Sequence, residues 1–270
     1  MEEAARKPAG GKAGAMAMAP PPLYALPYSA RHGMCGCKLG ATIMKRSEVN
    51  KLIEDTKALI HEHGIRLPPF AYWSPEDWKS KGAECNEIRD CMLGWDITDF
   101  GLGRFETIGL IVFTIRNGHQ TRPAYQDKTY CEKLLIVGEE QVTPNHYHVF
   151  KTEDIINKVG GDLVVKLHNK TENEKLSDTQ VEVVLDGVRH EVPAGTEFVL
   201  KAGESITLTP HLYHEFWAVK GSGTAIVGEV SKSNDDNTDN FFLDPIGRFP
   251  DIEEDCEPVH LLCTEYDSSP

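Results

Sequence analysis

Residues 143–161, "TPNHYHVFKTEDIINKVGG", place His146 and His148 two apart, Glu153 five further on and Gly160-Gly161 at the close. On a β-strand side chains alternate, so the two imidazoles reach the same side and converge on one point. Neutral imidazole is a common ligand for divalent metals, and a carboxylate completes a site of borderline softness. A later stretch, "SITLTPHLYHEFWAV" (205–219), carries His211 and His214. His214 shares strand parity with Phe216, which is expected to face inward, whereas His211 has the opposite parity and is expected at the rim. The pattern predicts one metal held by His146, His148, Glu153 and His214, with His211 as a candidate substrate contact. An H-x-H pair alone is more often a solvent-facing decoration. The acid at the right offset, the glycine seven residues beyond it and the proline-anchored histidine shift the balance to metal.

The elements that must position these residues are strands. Beyond about residue 104 the apolar period is two, and turn signals recur at intervals typical of a sandwich or barrel. "VEVVLDGVRHEV" (181–192) reads as a hairpin, because Asp186-Gly187 accepts the positive φ of a two-residue turn. Ahead of the strands, Val49, Leu52, Ile53 and Ile60 fall at helical spacing between Ser47, a candidate cap, and Gly64, a candidate stop. "SPEDW" (74–78) repeats the start signal with Pro75 in the first turn. Residues 44–92 are thus a helical segment, and 44–270 is read as a single domain. Residues 1–43, rich in Ala, Gly and Pro, are read as a disordered leader.

The chain has 270 residues, 28 basic against 42 acidic, and a net charge of −14. That balance attracts neither phosphate backbones nor anionic lipid, so nucleic acid and membrane are excluded as partners. No run approaches the roughly 20 apolar residues of a membrane span. Seven cysteines, odd in number and irregularly spaced, read as reduced thiols of a cytoplasmic protein. Cys35 and Cys37 lie in the leader without further ligands and are read as incidental.

The two histidine motifs resemble those of the cupin superfamily over about 104–230. The likeness is incomplete, since position 140 lacks the usual glycine and the second motif is one residue short. Longer strings are more specific. "GWDITDFGLGRFETIGLIVFTIRNG" (94–118), "YCEKLLIVGEEQVTPNHYHVFKTEDIINKVGGDLVV" (130–165) and "GEVSKSNDDNTDNFFLDPIGRFPDIEED" (228–255) resemble the D-lyxose ketol-isomerase family, from about Lys45 to Tyr266. The resemblance implies an all-β cupin fold, a double-stranded β-helix or jelly-roll barrel with N-terminal helices packed outside. It also implies a manganese-dependent aldose–ketose isomerase acting on D-lyxose and D-xylulose, with D-mannose and D-fructose as a second pair. Its metal ligands fall on His146, His148, Glu153 and His214. Co2+, Zn2+ and Fe2+ are alternatives to Mn2+, and an edge-rich barrel of this kind is expected as a homodimer.

That reaction moves one hydrogen between C1 and C2 through a cis-enediol, and a divalent ion on O1 and O2 would polarise the carbonyl. A base must lie within reach of both carbons. Glu229, after the strand "TAIVGEV", is the first candidate. Lys133, on the strand leading to His146, is expected to protonate or hold a developing alkoxide. Asp244 is an alternative acid, paired with Arg248 over the substrate. Asp235, Asp236, Asp239 and Asn240 in "SNDDNTDN" (233–240) are candidates for sugar hydroxyls, and Trp95 and Phe105 for a sugar face. Each has a plainer reading: an ion pair, an ordinary turn, a core aromatic. Two other functions share the metal shell, an iron dioxygenase and a non-catalytic sugar-binding cupin.

Overall fold

The computed structural model describes residues 43–248 and 250–267, so the expected leader, but for Ile43, lies outside the described residues. Chain order begins with β1 (Met44–Lys45) and three short helices, α1 (Arg46–Glu62), α2 (Pro75–Lys79) and α3 (Asn86–Asp90). Strands follow as β2 (Gly94–Thr98), β3 (Leu110–Arg116), β4 (Tyr130–Val137), β5 (Thr143–His148), β6 (Glu153–Gly160) and β7 (Leu163–Asn169). Next come β8 (Val181–Leu185), β9 (Val188–Val192), β10 (Glu197–Leu200), β11 (Ser205–Leu208), β12 (Leu212–Ala218) and β13 (Ala225–Lys232). A four-residue helix α4 (Asp236–Asp239), β14 (Asn240–Phe242) and β15 (Ile252–Glu253) complete the chain.

The strands form an eight-stranded sheet, β2-β3-β4-β13-β6-β11-β8-β9, and a five-stranded sheet, β10-β7-β12-β5-β14. Val112, Leu135, Val137, Ile155 and Val227 of the first and Leu167, Leu200 and Phe216 of the second share one buried core. This is the expected all-β sandwich of the jelly-roll kind, although the sheets stay separate and close no continuous barrel. Asp186 and Gly187, at φ 47° and 82°, make the predicted two-residue turn between β8 and β9. Gly160 and Gly161 let β6 run close past residues 223–224. A Cβ there would lie 2.2 Å from the Thr224 carbonyl oxygen or 2.0 Å from that of Gly223.

The outer face of the large sheet is covered as well. Val49, Ile53 and Ile60 of α1 pack with Trp95, Ile97, Ile111, Phe113, Leu134 and Ile136 in a second core. Each such isoleucine contributes about 1.5–3 kcal/mol by leaving water. Arg46, buried at the helix start, forks onto Glu254, at 2.7 Å, and Glu265, tying α1 to the C-terminal segment. Ser47 does not cap α1. The helix begins one residue earlier, Glu48 accepts from the Lys45 backbone N–H at 2.9 Å, and the Ser47 hydroxyl donates instead to Asp255 at 2.7 Å. Ser74 does cap α2, accepting from the Asp77 N–H at 3.2 Å.

Candidate metal centre

The inner face of the sandwich changes character along its strands. On β4 the inward residues run Val137, Leu135, Lys133, and on β13 they run Ala225, Val227, Glu229; cross-strand pairing sets Leu135 beside Val227 and Lys133 beside Glu229. On β6 the same row continues from Ile155 to Glu153, opposite Glu229 and Ser231. One end of the interior is therefore apolar and the other carries charge. From the facing sheet, β5 and β12 pair His146 with His214, and a register shift follows between His214 and Phe216. Such irregularities re-aim side chains and are frequent at functional sites.

His146, His148 and His214 are buried, and their candidate ligand nitrogens all lie within 4.8 Å of one another. The Nδ1 atoms of His146 and His214 lie 2.7 Å and 3.0 Å from the Pro144 and Leu212 carbonyl oxygens. A carbonyl only accepts, so both Nδ1 atoms carry the proton and both Nε2 lone pairs point into the interior. The buried Nε2 of His214 makes no hydrogen bond. Oε1 of Glu153 lies 3.2 Å from His148 Nε2 and 3.3 Å from His214 Nε2. Burial, with the neighbouring imidazoles His214 and His148, pushes His146 well below its ordinary pKa. Burial, then Lys151, pushes His148 down. Burial opposes a charge on Glu153, but Lys151 overcomes it and holds the carboxyl well below the usual range. Unprotonated imidazoles beside an ionised carboxylate are the form a divalent cation requires, and these residues fit one.

Lys133 and Glu229 are both buried and 3.5 Å apart, as their shared row requires. Asp236 lies 3.0 Å from Lys133 Nζ and 3.6 Å from Arg248 Nη2. The three cations Lys133, Lys151 and Arg248 overcome the burial penalty on Asp236 and hold its carboxyl far down. His146, His148, Lys133, Lys151, Glu153, Glu229, Asp236 and Arg248, with Asn240, Phe100, Phe216 and Phe242, line a cavity of about 50 Å³.

Several expected contacts fall elsewhere. Trp95 faces the outer core, where Nε1 donates to the Ala71 carbonyl at 2.9 Å and the ring meets Phe113 edge-on. Phe105 packs in that same outer core. Asp244 is exposed, and Arg248 pairs instead with Asp96, which β2 parity turns inward opposite Trp95. Asp235 is exposed and caps α4, its carboxylate accepting from the Asn237 N–H at 2.9 Å. Asp239 is buried but occupied. It accepts from the backbone N–H groups of Val149, Phe150 and Lys151 at 3.0, 2.7 and 3.2 Å, and so fixes the turn between the β5 and β6 ligands. His211 is exposed at φ 66°, its ring beside Tyr147 on the outside of β5.

Lys151 went unanticipated. Its Nζ lies 2.8 Å from both Glu153 and Glu229 and joins the two carboxylates. Burial disfavours its charge, but those two acids hold its pKa well above the ordinary value. It sits in the turn between strands, where parity assigns no side, so only its place between His148 and Glu153 hinted at a role.

A family model described as D-lyxose isomerase matches residues 44–266. A D-lyxose/D-mannose isomerase of Escherichia coli O157:H7 is 47% identical over 225 residues, 83% of this chain and 98% of that protein. One of Serratia proteamaculans is 47% identical over 224 residues, with the same shares covered. Among solved structures, an Acinetobacter sp. DL28 L-ribose isomerase mutant in complex with L-ribose aligns with a TM-score of 0.55 at 15% identity, covering 78% of this chain and 99% of that one. The Cellulomonas parahominis L-ribose isomerase with L-ribose aligns at 0.53 and 17%, covering 79% and 100%. At such identities the likeness establishes the fold, a cupin-type sandwich.

Proposed function

The chain belongs to the D-lyxose isomerase family, and from that premise we propose that it interconverts D-lyxose with D-xylulose, and D-mannose with D-fructose. The observation that carries this reading is the buried histidine triad, two of whose members, His146 and His148, line a cavity that also holds Glu229 and Lys133. We assign metal binding to His146, His148, Glu153 and His214. Manganese is our choice of ion, ahead of Co2+, Zn2+ and Fe2+. When bound, such an ion draws electron density from the sugar's carbonyl oxygen and acidifies the neighbouring C–H.

The chain's own residues supply the rest. Glu229 is oriented by Lys151 at 2.8 Å and by the Ser231 hydroxyl at 3.0 Å. We assign it the proton shuttle: its carboxylate takes the C2 proton of the aldose and returns it to C1, while the hydroxyl proton passes from O2 to O1. The sugar leaves with the same atoms and electrons. Lys133 and Lys151, desolvated cations beside that carboxylate, stabilise negative charge developing on oxygen. Phe100, Phe216 and Phe242 wall the cavity and keep bulk water from the enediol.

Among the described residues Cys85, Cys91, Cys131, Cys256 and Cys263 are free, which suits a reducing compartment, and we place the enzyme in the cytoplasm. Among the described residues no helix is long and apolar enough to cross a membrane. The edge strands β9 and β10, with Val188 and Val199 exposed, support a homodimer. The test is anaerobic incubation of the manganese-loaded protein with D-lyxose in deuterated water. D-xylulose is expected, with deuterium at C1 only in the fraction whose proton exchanges on the Glu229 carboxyl before it is returned. Product formed only with oxygen consumption and iron would make the protein an oxygenase, and stabilisation by sugar without turnover would make it a binding protein.

A further inference from the structure

The cavity at the histidines is small for a sugar. Its volume of about 50 Å³ holds about three to five water-sized groups, at 10–15 Å³ each. An open-chain pentose has about ten non-hydrogen atoms, more than this space holds. A second chamber, of about 240 Å³, adjoins it and shares Lys133, Asp236 and Arg248 as a common wall. That wall is made of ion-paired side-chain ends.

The chamber is built rather than incidental. Asn117 and Asn234, both buried, are cross-linked: Asn117 Nδ2 donates to the Asn234 carbonyl at 2.8 Å, and the Asn234 N–H donates to Asn117 Oδ1 at 3.3 Å. Asn234 Nδ2 donates to Asp236 at 2.6 Å, which joins the chamber wall to the shared ion pairs, and its buried Oδ1 has no hydrogen-bond partner. Gln120 and Thr121, both exposed, form the rim. Four carboxylates, Asp90, Asp96, Asp235 and Asp236, line the chamber against two fixed cations, Lys133 and Arg248. An anionic ligand is repelled there, whereas a neutral polyol finds many hydrogen-bond partners.

We propose that the substrate spans the two chambers and that the outer one, walled by Asn117 and Asn234 and rimmed by Gln120 and Thr121, accepts the hydroxylated tail of a non-phosphorylated aldose and sets the chain length turned over. The proposal rests on the isomerase reading. D-mannose repeats the configuration of D-lyxose at C2, C3 and C4 and adds one carbinol unit, which the outer chamber must house.

The test compares kcat/KM for D-lyxose and D-mannose in the manganese-loaded protein and in two variants that fill the rim, Thr121→Trp and Gln120→Trp, with metal content measured for each. The mannose-to-lyxose ratio is expected to fall about tenfold or more in at least one variant, the range for obstructing one carbon-sized group, with metal content unchanged. D-mannose 6-phosphate is expected to give no turnover. An unchanged ratio in both metal-replete variants, or preference for the phosphate ester, overturns the proposal. Absence of turnover of either free sugar by the unmodified protein overturns the isomerase reading, and this proposal with it.

Discussion

Glu229 and Glu153 lie on neighbouring strands and share Lys151, yet they are assigned different work, and substitution separates them. Glu229→Gln keeps the size and removes the base: metal content should stay and kcat should fall by about 10²–10⁴-fold. His148→Ala should lose metal and turnover together, as read by elemental analysis beside the activity assay. Asp239 acts at one remove, through the turn that carries His148, Lys151 and Glu153. Asp239→Ala strips the acceptor from three backbone donors and should weaken metal affinity by about 10- to 100-fold, as measured by calorimetric titration; an unchanged affinity would show the turn holds itself. The histidines also set a pH dependence. His146 and His148 have folded-state pKa values depressed below 6.5. The unfolded chain therefore takes up protons there that the folded chain refuses, and the metal-free protein should lose stability as pH falls below about 6.5. Because His146 and His148 resist protonation in the folded protein, metal affinity should persist to lower pH than it would at a site of unperturbed histidines. A steep loss beginning at pH 6.5 would mean unperturbed histidines.

Parity explains what could be read at the level of elements. His146, His148 and His214 were legible because a strand's period of two fixes a face without knowledge of the fold. Trp95 was misjudged because both faces of the large sheet are covered, so its strands are apolar on both sides and an aromatic there carries no sign of which core it enters. Asp96, its neighbour, was readable only once Trp95 was known to pack under α1. Turns lack parity altogether. Lys151 therefore went unassigned and Asp239 was misassigned, while the Asp235 carboxylate also serves its own helix. Ser47 lost the cap position to a tertiary partner, Asp255, which no local pattern shows. The glycine pair that ends β6 meets a strict requirement, a close approach of two backbones. Gly161→Ala should destabilise the protein by on the order of 2–4 kcal/mol in denaturant unfolding, with little change in kcat for the protein that remains folded.

For the whole molecule, two cores back the large sheet from either side and leave one polar end open to chemistry. The family match begins at residue 44, the first residue of the outer core and two before α1. We propose that 44–270 is the catalytic domain, so a chain starting at Met44 should keep the kcat and melting temperature of the full protein. Removing α1 as well would strip the cover from Ile111, Phe113 and Leu134 and should leave no soluble enzyme. The central claim is that four side chains from three strands gather about one divalent cation. Diffraction from crystals grown with manganese, recorded at the manganese absorption edge, tests it directly. One anomalous peak within coordination distance of His146, His148, Glu153 and His214 is the predicted result; a peak elsewhere, or four side chains that touch no common ion, would contradict it.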